Sequence, residues 1–388
     1  MITLLILIIT YIAFISLGLP DSIMGSSWPV IYQDIGASIE DAGIIFIIVS
    51  IGTVLSSFFS DKIIRRLGTG MVTAISVMLT AAALLGNAFG QDFRVFCLLA
   101  IPMGLGAGSV DAALNNYVAL NYSARHMNWL HCFWAVGAAI GPMIMSHFIS
   151  GKMTGNWAGG YRIIGFIQLT LALLLFISLP LWKRAEGKLP PETKKKEPVK
   201  LGEVLRLPGA IKALIAFFCY CGMESTIGLW GGSFLVMARD LPAETAARVV
   251  ALFYFGIMIG RFLSGILVAK LNSKKMIRIG EILMIAGLIW ILLPGIDWIM
   301  YCGFFLIGAG CAPIYPSLIH ETPANFGSKY SQAMIGIQMA FAYIGNIIMP
   351  PVFGLVGSQI GYGAYPFYLI LSLILMTIMA EGTVRRTA

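Results

Sequence analysis

Polar residues are the exception along most of this chain, and their positions divide the rest into runs. Twelve apolar stretches cover roughly 3–28, 42–60, 69–90, 94–121, 128–150, 160–182, 208–237, 244–269, 276–294, 298–320, 331–356 and 362–381. A helix needs about 20 such residues to cross the hydrocarbon of a bilayer. The runs therefore predict an all-α membrane protein with twelve transmembrane helices. What remains is short connections and one basic linker at 183–207, which leaves no room for a soluble catalytic domain, so no enzyme is expected. The first run lacks a basic leader and a small-residue cleavage site, and is expected to stay in place as a helix.

Composition agrees with lipid as the solvent. Hydrophobic residues make up 58% of the chain and charged residues 11%, against roughly 45–50% and 25% in soluble domains. The distribution of charge then orients the helices. With both termini cytoplasmic, nineteen Lys and Arg fall in inner segments and five in outer ones, namely Arg94, Lys152, Arg162, Arg239 and Arg248. Short inner loops are expected to carry that excess. The net charge of +8 accordingly reads as affinity for an anionic leaflet, and no nucleic-acid partner is expected. The six cysteines all lie in apolar runs, where neither a disulfide framework nor a spaced zinc site is indicated.

A repeat runs through the chain. Asp21-Ser22 is matched by Glu224-Ser225, Gly106-Ala-Gly108 by Gly308-Ala-Gly310, Gly141 by Gly345, and the segment from Ser56 by the segment from Ser264. The expected plan is an N-terminal six-helix half at 1–182, the linker at 183–207 and a C-terminal six-helix half at 208–388. Secondary transporters are built from halves of this kind, with the substrate site near mid-membrane between them.

Against so apolar a background, intramembrane polar groups stand out. A carboxylate at a helix centre costs about 2.5–3.5 kcal/mol on insertion scales and normally faces a cavity. Asp111 within GSVDAALNNYV is such a group, and Asn115 lies one turn further along the same helix face, with Asn116 turned about 100° away. A carboxylate and an amide on one face can bind sugar hydroxyls, which both donate and accept, or a cation. The further candidates are Asp21, Glu224, Asn128, His131, Trp134, Trp230, Tyr315, Gln338 and Asn346. Aromatic faces with planar donors and acceptors at the rim suit a pyranose. Gly222, Gly228, Gly231 and Gly232 interrupt the run holding Glu224, and a broken helix is expected there.

The segment Asp61-Lys62-Ile-Ile-Arg65-Arg66 resembles the signature between helices two and three of the major facilitator superfamily, and the resemblance of plan covers the whole chain. It implies that fold, with Asp61, Arg65 and Arg66 as a conformational gate. Asp111-Ala-Ala-Leu-Asn115-Asn116-Tyr117-Val118, Gly18-Leu-Pro-Asp21-Ser22 and the helix-five stretch from Asn128 to Ala138 resemble the sugar:cation symporter branch that includes the fucose permease and sodium-dependent glucose transporters. Helix four here has Asp where the permease has Glu, and His131 and Trp134 stand where it has Gln and Asn.

This resemblance implies cation-coupled symport of a monosaccharide or related polyol by alternating access, without a cofactor. Asp21, Asp111 and Glu224 would couple to a proton or to sodium held near Asp21 or Asp111, and the remaining polar groups would contact the sugar. It also implies a monomer in a bacterial inner membrane. Gly137-Ala-Ala-Ile-Gly141-Pro142 matches part of the helix-five motif of drug:proton antiporters, so proton-coupled multidrug efflux is the alternative.

Overall fold

In a computed structural model of the chain, residues 2–90, 92–122, 124–150, 156–186, 201–268, 270–293 and 297–387 are described. The apolar runs form twelve long helices. These are α1 (Ile2–Asp34), α2 (Ala42–Leu67), α3 (Thr69–Phe89), α4 (Phe93–Asn121), α5 (Ala124–Phe148), α6 (Trp157–Ile177), α7 (Ala210–Arg239), α8 (Ala243–Leu267), α9 (Ser273–Leu292), α10 (297–326), α11 (328–360) and α12 (Tyr365–Thr387). Two short unlabelled helices, Leu179–Glu186 and Leu201–Leu205, flank the linker. The expected spans match these elements to within seven residues at every boundary.

Local chemistry sets the boundaries. Asp92 caps α4 by accepting from the Arg94 amide at 2.7 Å, and Asn272 caps α9 by accepting from the Lys275 amide at 3.0 Å. A side-chain oxygen there satisfies an amide that has no partner within the helix. Gly68 separates α2 from α3 at φ 81°, and Gly327 separates α10 from α11 at φ 77°. Both conformations suit a residue without Cβ. Proline at position 20 removes the amide that would have bonded to Ser16 O, and buried Gln168 of α6 donates to that carbonyl instead.

The glycines that hold helices close together also fix the register of the repeat. Gly104 of α4 lies on the Val49 backbone of α2, and Gly308 of α10 lies on the Phe253 backbone of α8. Gly106 lies on Ser76 of α3, and Gly310 on Gly280 of α9. Every member of these pairs is displaced by 204 residues from its counterpart, so the offsets of 202 for the glycines and 208 for the Ser56 segment are corrected. Sequence matching had aligned one glycine of an alternating series with the next. In the 204 register, Asp111 corresponds to Tyr315 and Ser57 to Arg261.

A second correction concerns α7, which is continuous from Ala210 to Arg239. Its glycines receive neighbours. Gly222 accommodates Met349 and the Gly345 carbonyl, and Gly228 accommodates the Tyr254 hydroxyl. Small residues let helices approach in lipid, where no hydrophobic effect drives them together. The two sets of six helices meet along α1–α7, α2–α11 and α5–α8. Near the Asp34 and Arg239 ends, Gly25 lies against the Gly228 carbonyl and Gly232 against the Gly25 carbonyl, while Gly43 abuts Pro351.

Candidate functional site

The middle of the α1–α5–α7–α8 group collects charge. Asp21 of α1 is exposed although Leu19, Ser22 and Ile23 beside it are buried, so its carboxylate opens on an internal cleft. Its Oδ2 accepts from Nε1 of Trp134 on α5 at 2.8 Å. Over that indole, 5.2 Å from the ring centroid, sits the guanidinium of Arg261 on α8. Arg261 also donates from Nη1 to the His131 carbonyl at 3.2 Å and lies 3.6 Å from Glu224 Oε1 on α7. Asp21, Trp134, Arg261 and Glu224 thus form one row that begins on the first set of helices and ends on the second.

Neighbours complete the cleft. Tyr254 meets the Trp134 ring edge to face at 6.2 Å and lies in the field of both Asp21 and Glu224. The His131 ring packs edge-on against Phe14 at 5.8 Å. Beside Glu224, Ser225 donates to Asn346 Oδ1 on α11 at 2.9 Å. The Asp111 carboxylate of α4 feels the charge of Asp21. It accepts from Nδ2 of Asn115 at 2.8 Å, so the amide on the shared helix face binds the acid itself. Three residues before Asp111, the Gly108 carbonyl of α4 accepts from Ser57 Oγ of α2 at 3.0 Å. Tyr315 packs on Phe217 and Tyr220 and donates to Met339 Sδ at 3.1 Å.

The cleft therefore gathers Asp21, Asp111, Asn115, His131, Trp134, Glu224, Tyr315 and Asn346. Two expected contacts lie elsewhere, and both are corrections. Trp230 is fully buried near the Arg239 end of α7, where its Nε1 donates to the Pro350 carbonyl at 2.7 Å and its ring packs on Phe353 and Tyr362. Gln338 is buried between α10 and α11, accepting from Thr322 Oγ1 at 3.0 Å, beside a small pocket that Lys274 and Arg278 also line. Both side chains serve helix packing. Of the expected gate, Arg66 is exposed. The side chains of Asp61, Arg65, Asn116 and Asn128 lie outside the described residues. Among the described residues no three His, Cys, Asp or Glu side chains converge as metal ligands.

Sequence reasoning missed Arg261 and Tyr254. For Arg261 the signal was present. Of 26 Lys and Arg, 24 were assigned to inner or outer segments. The two left over are Lys212, near the start of a run, and Arg261, deep inside the run 244–269. An intramembrane arginine without an assignment is a functional candidate on the same grounds as an intramembrane aspartate.

Residues 10–320 and 236–385, two overlapping stretches, match the family model described as Major Facilitator Superfamily. The Saccharomyces cerevisiae bypass of stop codon protein 6 is 20% identical over 400 residues, covering 95% of this chain and 80% of the yeast protein. A glucose/mannose transporter of Bacillus subtilis is 21% identical over 382 residues, covering 95% and 90% respectively. The crystal structure of the Escherichia coli fucose:proton symporter aligns with a TM-score of 0.65 at 18% identity, covering 99% of each chain.

Proposed function

The chain belongs to the Major Facilitator Superfamily, and from that membership we propose that it carries a monosaccharide or related polyol across the membrane together with a cation, a proton or sodium. It is an integral, multi-pass membrane protein of a transporter family and not an enzyme. The sugar assignment draws on the named activities of the Bacillus and Escherichia proteins and on the chemistry of the cleft. We place it as a monomer in a bacterial inner membrane with both termini cytoplasmic, an orientation that follows from the charge asymmetry of the loops.

The observation that carries this reading is Asp21, a carboxylate at the middle of the first helix that reaches solvent while bonded to an indole of another helix. An ionised carboxylate opposes closure of an apolar cleft around it, because dehydrating it is costly. A cation arriving at Asp21 or Asp111 removes that opposition. The sugar supplies the remainder of the closing free energy through hydroxyls bound to the polar groups and C–H faces set against Trp134 and Tyr254. In this orientation the end sealed by Gly25 and Gly228 is the outer one. Water therefore reaches Asp21 from the cytoplasmic side, as in the state that releases substrate. No cofactor is needed, since no covalent bond is made or broken.

The magnitudes are adequate. One positive charge crossing 100 mV releases about 2.3 kcal/mol, and a tenfold concentration ratio costs about 1.4 kcal/mol. One coupled cation can thus hold a neutral sugar about fifty-fold concentrated. The test is uptake of labelled monosaccharides by proteoliposomes under an inward proton gradient, an inward sodium gradient, or neither. Accumulation under one gradient alone identifies symport and its ion. If no sugar moves and lipophilic dyes are cleared against a gradient, the sugar reading falls and drug efflux replaces it.

A further inference from the structure

A pyranose stacks on an aromatic ring only if a face of that ring is free. Trp134 is held by its bond to Asp21, and the guanidinium of Arg261 lies over its face. One of the two faces of the indole nearest the coupling acid is therefore occupied by the protein's own side chain.

Arg261 is poorly satisfied where it sits. Its separation from Glu224 is 3.6 Å, and its bond to the His131 carbonyl is 3.2 Å. A closed arginine–glutamate pair looks different in this same molecule. Arg278 donates through Nε and Nη2 to the two carboxylate oxygens of Glu381 at 2.7 and 3.0 Å. Bidentate pairs of that kind are the strong ones. Arg261 thus has a better position available, one short movement toward Glu224. Its side chain is 15% exposed and that of Glu224 19%, so both reach the cleft.

Resting on the sugar reading above, we infer that Arg261 is a positioning residue that covers one stacking face of Trp134 in the empty carrier, and that arriving sugar displaces it onto Glu224. The displacement has a mechanical result. Arg261 ties α8 to α5 through the His131 carbonyl and the Trp134 ring, and transfer to Glu224 of α7 returns it to its own half. Substrate occupancy therefore unfastens α8 from α5. Closure of the Arg261–Glu224 pair offsets the lost cation–π contact, so the exchange leaves sugar affinity modest. In the 204 register Arg261 stands where α2 has Ser57, whose hydroxyl donates to the Gly108 carbonyl of its own half at 3.0 Å. The bond across to the other half is thus made at this position by Arg261.

Cys132 provides a reporter, since its sulfur lies half-buried on α5 and 3.7 Å from the Met258 carbonyl of α8. Its labelling by N-ethylmaleimide, quantified by peptide mass spectrometry in the full protein, reads separation of the two helices. Saturating D-glucose should accelerate labelling several-fold in the wild type. In Arg261→Gln, labelling should be fast without sugar and D-glucose should add nothing, while accumulation falls to simple equilibration. Arg261→Lys should restore part of the slow labelling. Glu224→Gln/Arg261→Gln leaves no unpaired charge and should behave as Arg261→Gln, which keeps the test available if the single variant folds badly. Slow labelling in both Gln variants, or acceleration by D-glucose that persists in them, overturns the inference. A wild type that binds no D-glucose beside fast-labelling Gln variants removes the sugar reading and leaves the α5–α8 tie standing.

Discussion

The two halves share a scaffold and differ in chemistry. Gly104 on Val49 and Gly308 on Phe253 are the same contact 204 residues apart, as are Gly106 on Ser76 and Gly310 on Gly280. At the polar positions in the same register, Asp111 faces the cleft in one half and Tyr315 in the other, while Ser57 is matched by Arg261. Backbone contacts tolerate no added atoms, which holds the glycines in place. Cleft-facing side chains touch water as well as protein, and a change there leaves helix spacing intact. The N-terminal half thus contributes two acids and the C-terminal half an ion pair.

The strongest way to test that equivalence is to add atoms at it. A Cβ at Gly104 would lie 2.2 Å from the Val49 carbonyl oxygen, and one at Gly308 would lie 1.9 Å from that of Phe253. Gly104→Val and Gly308→Val should each cost about 3 kcal/mol by overpacking and leave little monodisperse protein on size-exclusion chromatography. If only one of them is harmful, the shared scaffold is refuted. Asp21→Asn comes next. Its amide oxygen can still accept from Trp134, so the thermal midpoint should hold, while accumulation falls from about fifty-fold to equilibration in the proteoliposome assay.

Smaller effects separate the polar positions. Asp111→Asn should lower gradient-driven uptake at least about tenfold, a loss of roughly 1.4 kcal/mol. Tyr315→Phe, at the equivalent place, should lower it less than about threefold, because among the described residues its hydroxyl bonds to a thioether. Equal losses would assign the two halves equal roles. The smallest change is expected from Trp230→Phe, which removes the bond to the Pro350 carbonyl. A loss of about 1 kcal/mol should lower the melting temperature by about 2 °C without altering uptake. Defective uptake at full stability would return Trp230 to the substrate path.

The sequence made the helices legible because hydrocarbon imposes one requirement, about 20 apolar residues at a time, and that requirement is local. Asp21, Asp111 and Glu224 were legible for a related reason, as charges that lipid would not tolerate unless they faced a cleft. Depth along a helix and partner identity are not local. Trp230 and Tyr315 look alike as aromatic residues in apolar runs, yet one is buried near the sealed end and the other borders the acid. Gln338 has the composition of a sugar contact and bonds to Thr322 instead. The α7 glycines showed where something comes close but not whether the approaching group was a ligand or another helix.

The seal between α1 and α7 has a kinetic meaning. Gly25 and Gly228 meet as backbone against backbone, with no side chain interleaved between them. Dispersion over so few atoms is weak. Such a joint contributes little adhesion of its own. Interlocked leucines at the same place would make a tighter door and a slower carrier.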